Sequence, residues 1–188
     1  LLTSLAFLAA PLGSATAATP DCTVTVSDSN TIYNGTNSSD VICITGNNVT
    51  VNALGGDDTV IDNGDNNIIN LGDGYDYYIG LAGDSATADG GSGNDVIEGT
   101  PGADELSGGA GDDTIVGGAG NDKLDGGAGS DNLEGDAGND NIFGQAGTDV
   151  LSGGLGDDLV AGGDGIDSVD GGDGLNTCDY TTGEAITQ

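Results

Sequence analysis

Between positions 95 and 167 a carboxylate returns every nine residues, as Asp95, Asp104, Asp113, Asp122, Asp131, Asp140, Asp149, Asp158 and Asp167. Against 32 acidic residues stand one base, Lys123, and no histidine, for a formal charge of -31 over 188 residues. Oxygens are hard ligands, and a donor set so poor in nitrogen and sulfur points to Ca2+, which accepts about six to eight oxygens in flexible geometry. Magnesium suits it less, because it holds its waters and demands strict octahedral coordination. The same inventory excludes most catalytic chemistry, since there is no histidine for a triad and no arginine for a phosphate clamp. Paired carboxylates would serve a glycosidase. A pair repeated at every turn marks a ligand array rather than one reactive centre, so the chain is read as no enzyme. Its charge also opposes nucleic acid or an anionic membrane surface as a direct partner.

To hold those carboxylates in register the chain needs a repeating element. Residues 90–179 divide without a gap into ten nonapeptides, beginning GGSGNDVIE, GTPGADELS, GGAGDDTIV and GGAGNDKLD. Glycine fills the first and fourth slots throughout, and aspartate fills the sixth until Asn176. The eighth slot is Ile97, Leu106, Ile115, Leu124, Leu133, Ile142, Leu151, Val160, Val169 and then Cys178. Slots one to four read as a tight turn whose glycines reach left-handed dihedrals and leave carbonyls unscreened. Slots seven to nine, as in Asn132-Leu133-Glu134, alternate polar, apolar, polar, a very short strand with one inward side chain. Such a strand cannot stand alone, so the copies stack, two nonapeptides to each coil of a flattened solenoid. One aliphatic side chain per repeat offsets little of the cost of ordering nine residues, which makes bound cations part of the fold.

The pattern G-G-x-G-x-D followed by x-U-x, with U a large aliphatic residue, resembles the RTX, or hemolysin-type, calcium-binding repeat over residues 90–179. The resemblance implies an all-β fold, a parallel β-roll in which each ion lies between turns on the same edge, one 18-residue coil apart. Carried to this chain, it pairs Asp95 with Asp113, Asp113 with Asp131, Asp131 with Asp149, and Asp149 with Asp167 on one edge. On the other it pairs Asp104 with Asp122, Asp122 with Asp140, and Asp140 with Asp158. That implies about seven inter-turn sites, completed by glycine carbonyls. Asp158 with Asn176 departs from the pattern, and a site there is expected to be weak or empty.

Upstream, residues 53–89 read as degenerate repeats: four nonapeptides over 53–88, with Asp89 as a single insertion. Their sixth slots are Asp58, Asn67, Asp76 and Ser85, and Asp40 lies one coil before Asp58. One edge thus keeps acids at Asp40, Asp58 and Asp76, whereas the other has Val49, Asn67 and Ser85 before Asp104. These three aspartates are either further ligands or ordinary turn residues, and calcium is expected on both edges after residue 90 and on at most one before it. Tyr77 and Tyr78 are read as packing. Residues 18–52, with alternating Val, Ile and Thr, are expected to form an N-terminal β cap over the first coil.

Residues 1–17, an apolar run followed by Pro11 and Ala15-Thr16-Ala17, read as a signal peptide truncated at its start, too short for a membrane span. Residues 180–188 form a C-terminal tail. A Sec-type signal ahead of the repeats resembles secreted calcium-binding repeat proteins of Gram-positive bacteria. In an oxidising compartment Cys22 and Cys43 are the expected disulfide, with Cys178 a buried small hydrophobe. The sequons at Asn34, Asn37 and Asn48 are read as chance in a segment rich in Asn and Thr. The chain is therefore expected to be a secreted, extracellular protein that folds on calcium. The alternative is a calcium-dependent adhesion protein whose roll presents a face to cell-surface or extracellular-matrix components.

Overall fold

The computed structural model describes residues 21–179 and 185–187. The expected signal peptide over 1–17 and the tail other than Ala185–Thr187 lie outside the described residues. Within them, nineteen short strands pair in parallel to form two sheets. The ten-stranded sheet is built, in spatial order, from Val24–Val26, Val41–Ile44, Thr59–Asp62, Tyr77–Gly80, Val96–Glu98, Thr114–Ala119, Asn132–Ala137, Val150–Ser152, Ser168–Asp170 and Ala185–Thr187. The nine-stranded sheet contains Ile32–Asn34, Thr50–Gly55, Asn67–Asp73, Ala86–Ser92, Glu105–Ala110, Lys123–Ala128, Asn141–Gly147, Leu159–Gly165 and Thr177–Asp179. Neighbours within a sheet are alternate strands of the chain, so the backbone crosses from one sheet to the other at every turn and closes a coil every two strands. No helix among the described residues is long and apolar enough to cross a membrane.

In the regular repeats the core is two facing rows of eighth-slot side chains. Ile97, Ile115, Leu133, Leu151 and Val169 stack in one sheet. Ala88, Leu106, Leu124, Ile142, Val160 and Cys178 stack in the other. All are buried except Cys178, which is half-buried, because it ends its row and is covered on one side only. The 18-residue step recurs in every one of these pairings, as in Ile97 with Ile115. Alternation along each strand explains the arrangement, one side chain in and its neighbours out.

Three features differ from the sequence expectation. First, many strands are longer than slots seven to nine: Thr114–Ala119, Lys123–Ala128 and Asn132–Ala137 run on through the first three slots of the next repeat. The glycine of slot four is needed for close approach, since a Cβ on Gly129 would fall on the carbonyl oxygen of Gly111 one coil earlier. Second, the single inserted residue is not Asp89, which pairs in register with Asn70 and Ser107. The extra residue lies in the connection 81–85, because Asn67 pairs with Ala86 and Tyr77 with Val96. Ala86, not Ser85, therefore occupies the sixth slot of that coil. Third, residues 22–52 continue the same two sheets, Val24–Val26 pairing with Ile42–Ile44 and Ile32–Asn34 with Thr50–Asn52. A disulfide joins Cys22 to Cys43 with Cα atoms 5.8 Å apart, tying the first coil to the second.

Candidate metal centres

The sixth-slot residue ends each turn and immediately precedes a strand, which fixes its side chain along the edge where the two sheets meet. Asp95 and its eight successors to Asp167 are all buried, at 0–4% exposure. Each places Oδ1 against the coil before it. The Asp95 N–H donates to Asp113 Oδ1 at 2.7 Å, Asp113 to Asp131 at 2.8 Å, Asp131 to Asp149 at 2.9 Å and Asp149 to Asp167 at 2.9 Å. On the other edge Asp104 donates to Asp122 at 2.9 Å, Asp122 to Asp140 at 2.8 Å and Asp140 to Asp158 at 2.9 Å. The partners one coil apart are thus brought into contact on each edge. Upstream the ladder continues from Asp40 to Asp58 and Asp58 to Asp76, both at 2.7 Å, and from Asp76 to Asp95 at 2.8 Å.

The second oxygen is different. Oδ2 of Asp58, Asp76, Asp95, Asp113, Asp122, Asp131, Asp140, Asp149, Asp158 and Asp167 is buried with no hydrogen-bond partner. From Asp95 onward the first-slot glycine lies beside it, where a side chain would intrude, whereas the first slot before Asp58 is Ala53 and before Asp76 is Leu71. A Cβ on Gly90 would sit 2.5 Å from both Asp95 Oδ2 and the carbonyl oxygen of Gly108 in the next coil. A Cβ on Gly135 would sit 2.5 Å from Asp140 Oδ2 and 2.6 Å from the Gly153 carbonyl oxygen. An anionic oxygen without a donor, next to a carbonyl oxygen and an empty cradle, fits a hard cation and nothing in the chain's own basic inventory. Among the described residues no point gathers three acidic, His or Cys side chains. Main-chain carbonyls must therefore supply most of any coordination shell.

Electrostatics agree with that fit. Burial pushes the carboxyls of Asp58, Asp95, Asp122 and Asp140 up to about 6 and that of Asp113 to about 7; the backbone N–H bond opposes the rise and neighbouring aspartates add to it. Asp76, Asp104, Asp131 and Asp149 are raised for the same first reason. A divalent ion would reverse this by favouring the charged form.

Several sixth-slot positions depart from this geometry. The Asp104 carboxylate is hydrogen-bonded at both oxygens: Ala86 N–H reaches Oδ1 at 2.6 Å, Thr100 N–H reaches Oδ2 at 2.6 Å, and the Thr100 hydroxyl lies 2.8 Å from Oδ1. Asp40 Oδ2 accepts from the Thr36 N–H at 2.8 Å and hydroxyl at 3.0 Å. Asn67 sets an amide where an acid would leave an orphan: its Nδ2 donates to Asp62 Oδ1 at 2.7 Å and to the Gly46 carbonyl at 3.2 Å. Asn176 Nδ2 likewise donates to the Gly172 carbonyl at 3.0 Å. Asp62, Thr100 and Tyr78, whose hydroxyl lies 3.3 Å from Asp62 Oδ2, were not among the expected site residues. The available signal was that Asp62 and Thr100 stand where the repeat has its first and second glycines.

A parallel two-sheet solenoid with a row of half-bonded buried carboxylates along its edges is a cation-binding roll. The model of the RTX calcium-binding nonapeptide repeat matches four times, over residues 50–85, 89–124, 125–160 and 152–184. These matches take in more than half of the chain, which belongs to this family; the repeats bind calcium, and the aspartate ladder fits that ion. No curated protein matches the chain.

Proposed function

We propose that the chain is a secreted, non-catalytic module that binds several calcium ions between its coils and completes its fold as it does so. The row of orphaned buried oxygens, facing a glycine cradle at every position from Asp95 to Asp167 except the closed Asp104, carries this reading. Asp58, Asp76, Asp95, Asp113, Asp131, Asp149 and Asp167 would hold ions on one edge, and Asp122, Asp140 and Asp158 on the other, with carbonyls of the glycine turns completing each shell. Asp40 and Asp104 contribute less, because threonine donors already satisfy them. The ion supplies positive charge where two coils bring carboxylates and carbonyls together. Ligands one coil apart converge only in the roll, so binding energy is folding energy. RTX repeats are generally non-catalytic and their proteins typically extracellular or secreted, which supports the rest of the assignment.

A titration of the full chain, followed by far-ultraviolet circular dichroism and calorimetry, tests the proposal. Rising β content with several calcium ions bound per chain is expected, and a weaker response to magnesium. Identical spectra in chelator and in millimolar calcium would overturn it.

A further inference from the structure

Along the edge that carries Val49, Asn67, Ala86 and Asp104, side-chain donors stand where the proposed ions would lie elsewhere. Asn67 keeps the acceptor function of an aspartate, receiving the Val49 N–H at 2.8 Å, while its amide nitrogen bonds both a turn carbonyl and Asp62. Asp62 fills the first-slot cradle with its own carboxylate and is held by the Gly64 N–H at 2.9 Å and by Tyr78. Thr100, itself buried, supplies the donors that close Asp104. Beyond Asp104 the same edge has no such donor until Asn176, and Asp122, Asp140 and Asp158 are orphaned.

The interior changes at the same place. The apolar core of the coil over residues 41–58 is Ile42, Ile44, Val49, Val51 and Ala53, whereas that of the coil over 113–130 is only Ile115 and Leu124. A ladder of amides, Asn70 to Asn52 to Asn34 at 2.8 Å each, binds the outer face of the early coils, and the disulfide closes their end. Three orphaned oxygens precede residue 104, on Asp58, Asp76 and Asp95, and all lie on one edge; the other seven follow it on both edges.

We infer that Thr100 and Asp104 mark a boundary: the coils before it, closed by side-chain donors, hold their fold without calcium and template the ion-dependent coils that follow. In a solenoid each coil contacts only its neighbours, so order spreads from a preformed end. The calcium half of this inference rests on the function proposed above. The partition itself is read in chelator and stands or falls separately.

Hydrogen exchange of the full chain, first in chelator and then in millimolar calcium, tests it. In chelator, amides of Val41–Ile44, Thr50–Gly55 and Asn67–Asp73 are expected to exchange at least roughly 100-fold more slowly than unfolded chain. Those of Lys123–Ala128, Asn132–Ala137 and Asn141–Gly147 are expected to gain protection only with calcium. Equal protection of both halves in chelator, or none in either, overturns the inference. Early coils protected while calcium leaves the late ones unprotected would uphold the partition and sink the calcium reading. Thr100→Val and Asn67→Asp probe the donors. Each is expected to speed chelator exchange in its own coil by roughly tenfold or more, with calcium restoring Asn67→Asp. If Asn67→Asp fails to fold under either condition, Thr100→Val decides alone; wild-type protection in that variant overturns the inference.

Discussion

The coil over residues 41–58 and the coil over residues 113–130 have the same length and the same parallel register, yet their interiors are built from different materials. The first is filled by five apolar side chains, carries the disulfide at Cys43 and has an orphaned carboxylate, Asp58, on one edge only. The second has two apolar side chains, glycine turns and a buried carboxylate with a free lone pair on each edge. One coil geometry can therefore be closed by packing and amide hydrogen bonds, or left open for an ion. Where glycine replaces side chains the chain loses hydrophobic burial, and the unpaired carboxylates make the ion-free state worse still, which is the ground for the proposed coupling of folding to the ligand.

The largest effect should come from pH, and it should weigh most on the later coils, which hold seven of the ten orphaned carboxylates. Asp95, Asp122 and Asp140 titrate at about 6 and Asp113 at about 7 in the roll, raised from 3.8, so the folded state binds more protons than the unfolded chain between these values. Ion-free stability is then fullest below 3.8 and is lost as pH rises through about 6 to 7. Calcium needs the ionised carboxylates, so its affinity runs the other way and falls as pH drops through the same window. Thermal melts in chelator should shift upward by on the order of 10 °C from pH 8 to pH 4. With calcium present acidification should instead release ions. A chelated protein that melts identically at both pH values would remove the carboxylate ladder as the cause.

Next in size is the disulfide. Cys43→Ser opens a link spanning 21 residues and should destabilise the early coils by roughly 3 kcal/mol. In chelator the loss should appear as earlier melting of the residual structure, while calcium-dependent gain in the late coils persists. Loss of all calcium response in this variant would mean that the two regions fold as one unit.

Asp131→Asn transplants the early chemistry into the late region. The new amide keeps the acceptor for the Asp113 N–H and puts a donor into the Gly126 cradle, which the Gly144 carbonyl also lines; Asn176 likewise turns its Nδ2 to a turn carbonyl, that of Gly172 in its own turn. Expected are about 1 to 2 kcal/mol of local stabilisation in chelator and a loss of bound calcium by calorimetry. Effects of the same sign in both conditions would argue that the orphaned oxygen is not where the ion acts.

Much of this was legible in the letters. The nine-residue period gave the 18-residue coil and the inward row from Ile97 to Val169, because a periodic chain must repeat its contacts, and the resemblance to the calcium-binding repeat implied the inter-coil pairing of aspartates. Cys22 and Cys43 were readable from compartment and spacing. What escaped were the exceptions. Asp104 carries the same letter as Asp122, and only the Thr100 donors four residues earlier make it a closed position. Asp62 and Thr100 looked like decay of a glycine consensus, since the period describes slots and not what fills a vacated one. The inserted residue was misplaced at Asp89 because the connection 81–85 has no pattern of its own, and only strand pairing decides that Ala86 faces Asn67.

The smallest effect isolates backbone strain. Asp136 holds φ at 68° in a slot where its register neighbours Gly118 and Gly154 sit at 98°, a left-handed region that costs a residue with a Cβ about 1 kcal/mol or more. It also stands beside Glu134, whose carboxyl is raised by burial first and by the Asp136 charge second. Asp136→Gly should therefore stabilise the calcium-loaded roll by about 1 kcal/mol, or roughly 2 to 4 °C in melting temperature. Leu54 occupies the matching slot of an early coil at φ 86° and is 47% exposed, so Leu54→Gly relieves the same strain at little loss of packing. The two variants differ in when the gain is visible. Leu54→Gly should stabilise in chelator and in calcium alike, because its coil is folded in both. Asp136→Gly should act only in calcium, since a turn that is not formed stores no strain; an equal gain in chelator would show that the late coils are folded without the ion.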